Sequence, residues 1–353
     1  KLALKENSLP QYSAWPYTNI DSAMAAKKYI ECVSPESKIF ISDVLNTTCL
    51  LVDPKGTSQA KDFWQHTGLG ISSRLAAIEL QVDPPACENK AKDAKENLLK
   101  RISNIYGCDS TNIELYPSGM AALTAGLTAI RRIRSKNSFL QIGFPYVDVL
   151  KLPQKIFGGS RLIQTEDPEE LAITLDSQQP AAVIVELPSN PMMQCVDLPT
   201  ISKLAHARGI PVIADDTIGS AINIESLPYA DIVFSSLTKS FAGVGDILAG
   251  SMIISPYSYW KKDLFEINLL ANSTLPPLSD PDAIALEKAS RDVLDRIPML
   301  NSACLKLKRK LEQHPKVSRV LHPEHCSNFN SIKKKDAGYG CLLSFQLIES
   351  ANP

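Results

Sequence analysis

No stretch of the sequence approaches the ~18 consecutive apolar residues that a membrane-spanning helix needs, so nothing in it calls for a membrane. An excess of charge is missing too. The 37 Lys and Arg nearly balance 38 Asp and Glu, for a formal net charge of -1, and this gives no electrostatic reason to expect nucleic acid or an anionic surface as partner. Internal repeats and long low-complexity tracts are absent, which excludes solenoid and fibrous classes. The eight cysteines are scattered without a CxxC pair. That argues against a disulfide framework, suits reduced thiols, and makes a cytoplasmic setting the default. The chain begins at Lys1 rather than Met, which leaves an upstream targeting segment open.

What is present is ordinary for a globular protein: 353 residues, 44% hydrophobic and 21% charged, enough for about two domains. The first 62 residues read as an N-terminal segment with a short helical signal at 22–30 and an apolar strand at 48–52. The segment 63–77, FWQHTGLGISSRLAA, with two glycines and Arg74, reads as a loop able to bind an anion or as a plain surface loop. A helix over 95–106 follows, stopped at Gly107.

Beyond it strands and helices alternate, the pattern of a mostly parallel sheet with crossover helices. Strands are expected at 113–116, 139–144, 181–186, 210–214 and 231–234. Each runs into residues with chemistry: Ser118-Gly119-Met120, Tyr146, Asn190, Asp215-Asp216-Thr217, and Ser236-Leu237-Thr238-Lys239. Side chains alternate along a strand, so Asp215 and Thr217 share a face that Asp216 does not. After residue 256 the composition shifts. A Pro, Ser and Asn-rich connection at 268–281 leads to a long helix at 282–313 with a kink expected at Pro298, and then to a strand within 338–347. His322-Pro323-Glu324-His325-Cys326 has metal-binding residue types but no further ligands nearby in sequence, and no metal is expected. The division expected is 1–62, a large domain at 63–256 and a smaller one at 257–353.

Lys239 is the residue around which these pieces make sense. A lysine amine becomes nucleophilic when desolvation or a neighbouring cation leaves part of it uncharged, and its usual use is a Schiff base with a carbonyl. A solvated lysine in a serine-rich loop is the plainer alternative. Ser118 at the start of a helix is likewise either a simple N-cap or the edge of a phosphate site made by free N–H groups at the positive end of the helix dipole. The set as a whole has a phosphate cradle (Ser118, Gly119, Met120, Ser236, Thr238), an aromatic (Tyr146), an amide (Asn190), a carboxylate (Asp215) and an amine (Lys239). A phosphorylated aldehyde with a protonatable ring nitrogen, pyridoxal 5'-phosphate, would use them all.

The motifs YPSGMAAL, GFPYVDVLKL, ELPSNP, IADDT and SLTKSFAGVGDILAG stand in that order in the chain. Together they resemble the fold-type I pyridoxal-phosphate enzymes of the Cys/Met transsulfuration family, most of all its fungal cystathionine γ-synthase-like branch. The resemblance implies a seven-stranded, mostly parallel sheet in the large domain and a smaller C-terminal α/β domain. It makes Lys239 the Schiff-base lysine, Asp215 the partner of the pyridine nitrogen with Thr217 close by, and Asn190 a contact of the ring hydroxyl. Gly119, Met120, Ser236 and Thr238 would hold the phosphate. Arg74 would reach the phosphate of a neighbouring subunit, which implies a homodimer or homotetramer with shared active sites.

The chain departs from the family pattern at three places. Ile142-Gly143 stands where a ring-stacking tyrosine precedes a glycine, so that role passes to Tyr146 or is placed elsewhere. Ser72 replaces the tyrosine that accompanies the neighbour's arginine. The chain ends at Pro353, before the segment carrying the family's substrate-carboxylate arginine. The activity implied is γ-replacement on an O-acyl-homoserine, with a small amino acid as substrate. Its rivals are a γ- or β-lyase and a catalytically silent oligomeric paralogue.

Overall fold

Short runs of aliphatic and β-branched residues build the centre of the molecule. The structure, a computed structural model, describes residues 1–135, 137–165, 167–271 and 274–348. In chain order the strands are β1 (Ser13–Tyr17), β2 (Ile39–Val44), β3 (Thr47–Val52), β4 (Ile113–Tyr116), β5 (Phe139–Ile142), β6 (Ser160–Ile163), β7 (Val183–Glu186), β8 (Val212–Asp215), β9 (Ile232–Ser236), β10 (Gly250–Ile254), β11 (Val317–Leu321) and β12 (Ser344–Leu347). Seven of them form one sheet in the order β4-β10-β9-β8-β7-β5-β6. β10 runs antiparallel to both its neighbours, and the other pairings are parallel. Hence β4, β5, β7, β8 and β9 all point the same way, and the loops that leave them gather along one edge.

The sheet is buried on both faces, as a parallel sheet covered by crossover helices must be. Alternation along the strands divides the core in two. Leu140, Ile142, Val183, Val185, Val212, Ala214 and Val233 join the apolar cluster on one face. Phe139, Ile184, Ile213, Ile232 and Phe234 join the other. Each fully buried aliphatic side chain contributes roughly 1.5–3 kcal/mol.

Helix Gly119–Ile133 lies on the second face through Ala122, Leu123, Leu127 and Ile130. Its start is set by Ser118, whose Oγ accepts the Ala121 N–H at 3.0 Å, a cap contributing about 1 kcal/mol. At Gly126 the helix comes close to the sheet: a Cβ there would sit 3.4 Å from Ile232 Cγ2.

Two smaller sheets flank this core. β1, β3 and β2 form an antiparallel sheet near the N-terminus, and β11 pairs with β12 near the other end. Among the described residues no helix is long and apolar enough to cross a membrane. No group of three or more His, Cys, Asp or Glu gathers to hold a metal among them either, and 323–325 forms a short 3₁₀ turn.

The segment read as a loop at 63–77 is instead the end of helix Thr57–Thr67 and most of helix Ser73–Glu79. Its loop-like residues are the punctuation between the two. Gly68 ends the first helix at φ +64°, and Ser72 caps the second through the Leu75 N–H. The helix expected at 282–313 is two helices, Asp280–Ala289 and Val293–Glu312. The interruption falls at 290–292, with Pro298 inside the second helix. Of the connection expected at 268–281, residues 268–271 end helix Lys261–Ala271 and residues 272–273 lie outside the described set.

Candidate active site

Four parallel strands deliver the candidate residues to one edge of the sheet, where open α/β folds bind their ligands. Asp215 ends β8, and Ser236 ends β9 with Lys239 three residues on, in the turn 237–242. Glu186 ends β7 and leads to Asn190; β5 leads through Gly143 to Tyr146. β4 supplies a fifth approach, running through Ser118 into the helix of Gly119 and Met120.

Asp215, Thr217 and Ser236 form one hydrogen-bonded group. The Thr217 N–H donates to Asp215 Oδ1 at 3.0 Å, and Thr217 Oγ1 accepts the Ser236 N–H at 2.8 Å. The Thr217 hydroxyl also bonds to Asp215. Burial raises the Asp215 pKa, and both bonds from Thr217 oppose that rise. The following carboxylate points elsewhere. Asp216 accepts the Tyr106 hydroxyl with both oxygens at 2.9 Å and the Ser226 hydroxyl at 3.1 Å. So Asp215 and Thr217 do turn to one side and Asp216 to the other.

The start of helix Gly119–Ile133 is drawn tightly against this group. A Cβ on Gly119 would lie 2.8 Å from Ser236 Cβ, and one on Gly250 would lie 2.2 Å from the Ser118 carbonyl oxygen. Only glycine permits the approach. It brings the N–H groups of Gly119 and Met120, which have no intrahelical acceptor, beside Ser236. A phosphate fits this cradle, a ring nitrogen fits Asp215, and Lys239 is an exposed residue of the turn that follows Ser236; the donor set therefore suits pyridoxal phosphate.

Two hydroxyls expected in the cradle have structural partners. Ser118 Oγ caps the helix and donates to the Gly68 carbonyl at 3.1 Å, so its N-cap role is realised. Thr238 Oγ1 accepts the Ala249 N–H at 3.1 Å and donates to the Ala249 carbonyl at 3.3 Å, closing the loop that carries Lys239. Arg74 is held by carboxylates of its own chain. It pairs with Asp282 at 3.0 Å and Asp246 at 3.2 Å, with Ser72 also bonded to Asp282.

Tyr146 and Asn190 meet at a residue the sequence reading passed over. Glu186 Oε2 accepts the Tyr146 N–H at 2.7 Å, and the backbone of Asn190 bonds to the same carboxyl. Its sequence signal was a charged residue closing an otherwise apolar strand, Val183–Glu186. The Tyr146 side chain is half exposed and its hydroxyl bonds to Asp148. Asp148 in turn accepts from Gln65 and pairs with the buried His66 at 2.8 Å, a second group that sequence spacing does not reveal.

Residues 90–352 match the family described as "Cys/Met metabolism PLP-dependent enzyme". The chain is 33% identical over 269 residues to the cystathionine gamma-synthase of Neurospora crassa, covering 72% of this chain and 43% of that protein. It is 29% identical over 300 residues to the L-2-amino-4-chloropent-4-enoate dechlorinase/desaturase of Streptantibioticus cattleyicolor, covering 80% and 59%. The chain thus spans about half the length of these curated relatives. Its fold matches the crystal structure of cystathionine gamma synthase from Xanthomonas oryzae in complex with cystathionine, with a TM-score of 0.61 and 23% identity over 74% of this chain and 67% of that one.

Proposed function

The chain belongs to the Cys/Met metabolism PLP-dependent enzyme family, and from that premise we propose that it catalyses γ-replacement on an O-acyl-L-homoserine. The observation that carries the proposal is the convergence of Gly119, Met120, Asp215, Thr217, Ser236 and Lys239 on one edge of the sheet. Bound there, pyridoxal phosphate supplies an electron sink for chemistry at the substrate's α-carbon and side chain.

The chain's own residues supply the rest. The Gly119 and Met120 N–H groups and the Ser236 hydroxyl fix the phosphate. Asp215, kept in place by Thr217, holds a proton on the ring nitrogen. Lys239 would hold the cofactor at its aldehyde, and its Nζ would take the substrate's α-proton and then a β-proton, giving protons back to both carbons after the exchange at the γ-carbon. Asn190 would hold the ring hydroxyl and Tyr146 would lie against the ring. The acyl group leaves from the γ-carbon, and cysteine, sulfide or a carbon nucleophile takes its place. Arg74 serves the phosphate of a second copy, making the working unit a dimer or tetramer with shared sites.

A lyase reading draws support from the relative named as a dechlorinase/desaturase. The two differ in what captures the activated side chain. Product analysis with O-acetyl-L-homoserine separates them: replacement gives cystathionine when L-cysteine is added, whereas elimination gives 2-oxobutanoate and ammonia without it. Absence of both products from pyridoxal-phosphate-loaded protein would favour the silent paralogue.

A further inference from the structure

We propose that Glu186 is a positioning residue of the site: it fastens the backbone of Tyr146 and of Asn190 to the end of β7, next to Asp215, so that these side chains present one preformed face to the cofactor. This rests on the reading of the site as a pyridoxal-phosphate site.

The geometry begins with strand register. Glu186 on β7 and Asp215 on β8 are partners in a parallel pair, so their side chains leave the same face about 4.8 Å apart. Both residues are 5% exposed. Two carboxylates so close and so buried do not both ionise at neutral pH. Asp215 takes two hydrogen bonds from Thr217, which favour its charged form. Glu186 is raised well above the ordinary carboxyl range, first by burial and then by the Asp215 charge, against the N–H groups of Tyr146 and Asn190. The proton of the pair therefore sits on Glu186, and Asp215 is the single charge available to a ring nitrogen. Two further titratable groups lie near Glu186, the Cys195 thiol and the Tyr146 phenol, and burial raises the pKa of both.

A neutral acid keeps its carbonyl lone pairs, so the fastening survives. Tyr146 stands at the start of helix Val147–Lys155, and Asn190 lies in an exposed turn after β7. Leu187, Met193 and Cys195 anchor the one segment and Val149 and Leu152 the other by apolar burial, while Tyr146 and Asn190 themselves are exposed. The bonds to Glu186 fix the backbone of these two residues in particular to the end of β7.

Two measurements test this. In cofactor-free wild-type protein, the Tyr146 and Asn190 amides should exchange with solvent more slowly than that of Phe144, whose side chain is exposed and whose N–H has no part in this network. Glu186→Ala should abolish that protection and weaken pyridoxal-phosphate binding, followed by absorbance, by about tenfold or more, the equivalent of one lost hydrogen bond to a buried acceptor. Glu186→Gln, neutral and of equal size, keeps an acceptor oxygen and should stay within about threefold of wild type. Should Glu186→Ala not fold, Glu186→Leu takes its place. Unprotected amides in wild type, unchanged affinity in the Ala or Leu variant, or a Gln variant as damaged as Ala would each overturn the proposal. If wild type itself fails to bind the cofactor, the functional reading falls, while the exchange result still decides whether Glu186 fastens the two loops.

Discussion

Asp216 offers a pH experiment whose sign and size follow from its surroundings. Its side chain is fully buried, receives hydrogen bonds from Tyr106, Ser226 and Ser235, and lies near the negative charge of Asp215 and the positive charge of Lys334. Burial first, then Asp215, pushes its pKa from 3.8 to about 7 against the opposing hydrogen bonds. The folded state thus keeps a proton that the unfolded chain gives up near pH 4. The stability this contributes is fully present below the unfolded pKa and is lost as pH rises through about 7. At about 1.4 kcal/mol per unit, the two units between pH 5 and 7 make the loss roughly 2–3 kcal/mol by pH 8.

Asn in place of Asp216 keeps the shape and removes the titration. Urea unfolding of cofactor-free Asp216→Asn and wild-type protein at pH 5, 6, 7 and 8 reads the effect. The stability of the variant relative to wild type should climb by roughly 2–3 kcal/mol across that range. A difference that stays flat, or that falls as pH rises, would refute the account of Asp216 as a buried carboxyl holding its proton.

Thr217→Val removes the acceptor of the Ser236 N–H and a donor to Asp215 with little change of shape, so cofactor affinity should drop about tenfold. The same variant deprives the Asp215 carboxylate of a bond favouring its charge, and the acid limb of the kcat/KM profile should move to higher pH, which a pH–rate series checks. Arg74→Ala should weaken cofactor retention while the protein stays folded, and mixing it with Lys239→Ala protein under conditions of proven subunit exchange should restore part of the activity. No restoration would end the shared-site proposal.

Much of this was legible because the sheet announces itself. Buried strands such as Val183–Glu186 and Val212–Asp215 are continuous apolar runs, and each ends in a polar residue that marks the functional edge. The face shared by Asp215 and Thr217 follows from alternation alone and is met in the hydrogen bonds. What the sequence hid depends on long-range partners. Gly68 and Ser72 look like loop residues, and only packing shows them as the end and start of two helices. The division of Ser118 and Thr238 between ligand and scaffold is set by Gly68 and Ala249, neither marked as a partner by sequence. Glu186 acquires its place from the registers of two neighbouring strands, and Tyr106 reaches Asp216 across 110 residues. Composition carries no trace of either pairing.

The central claim is that Lys239 holds the cofactor. Purified protein incubated with pyridoxal phosphate and reduced with borohydride should yield, after proteolysis and mass spectrometry, a pyridoxyl group on the peptide containing Lys239, and Lys239→Ala protein should carry none there. A protein that stays colourless with added cofactor, or a label found reproducibly on another lysine and not on Lys239, would contradict it.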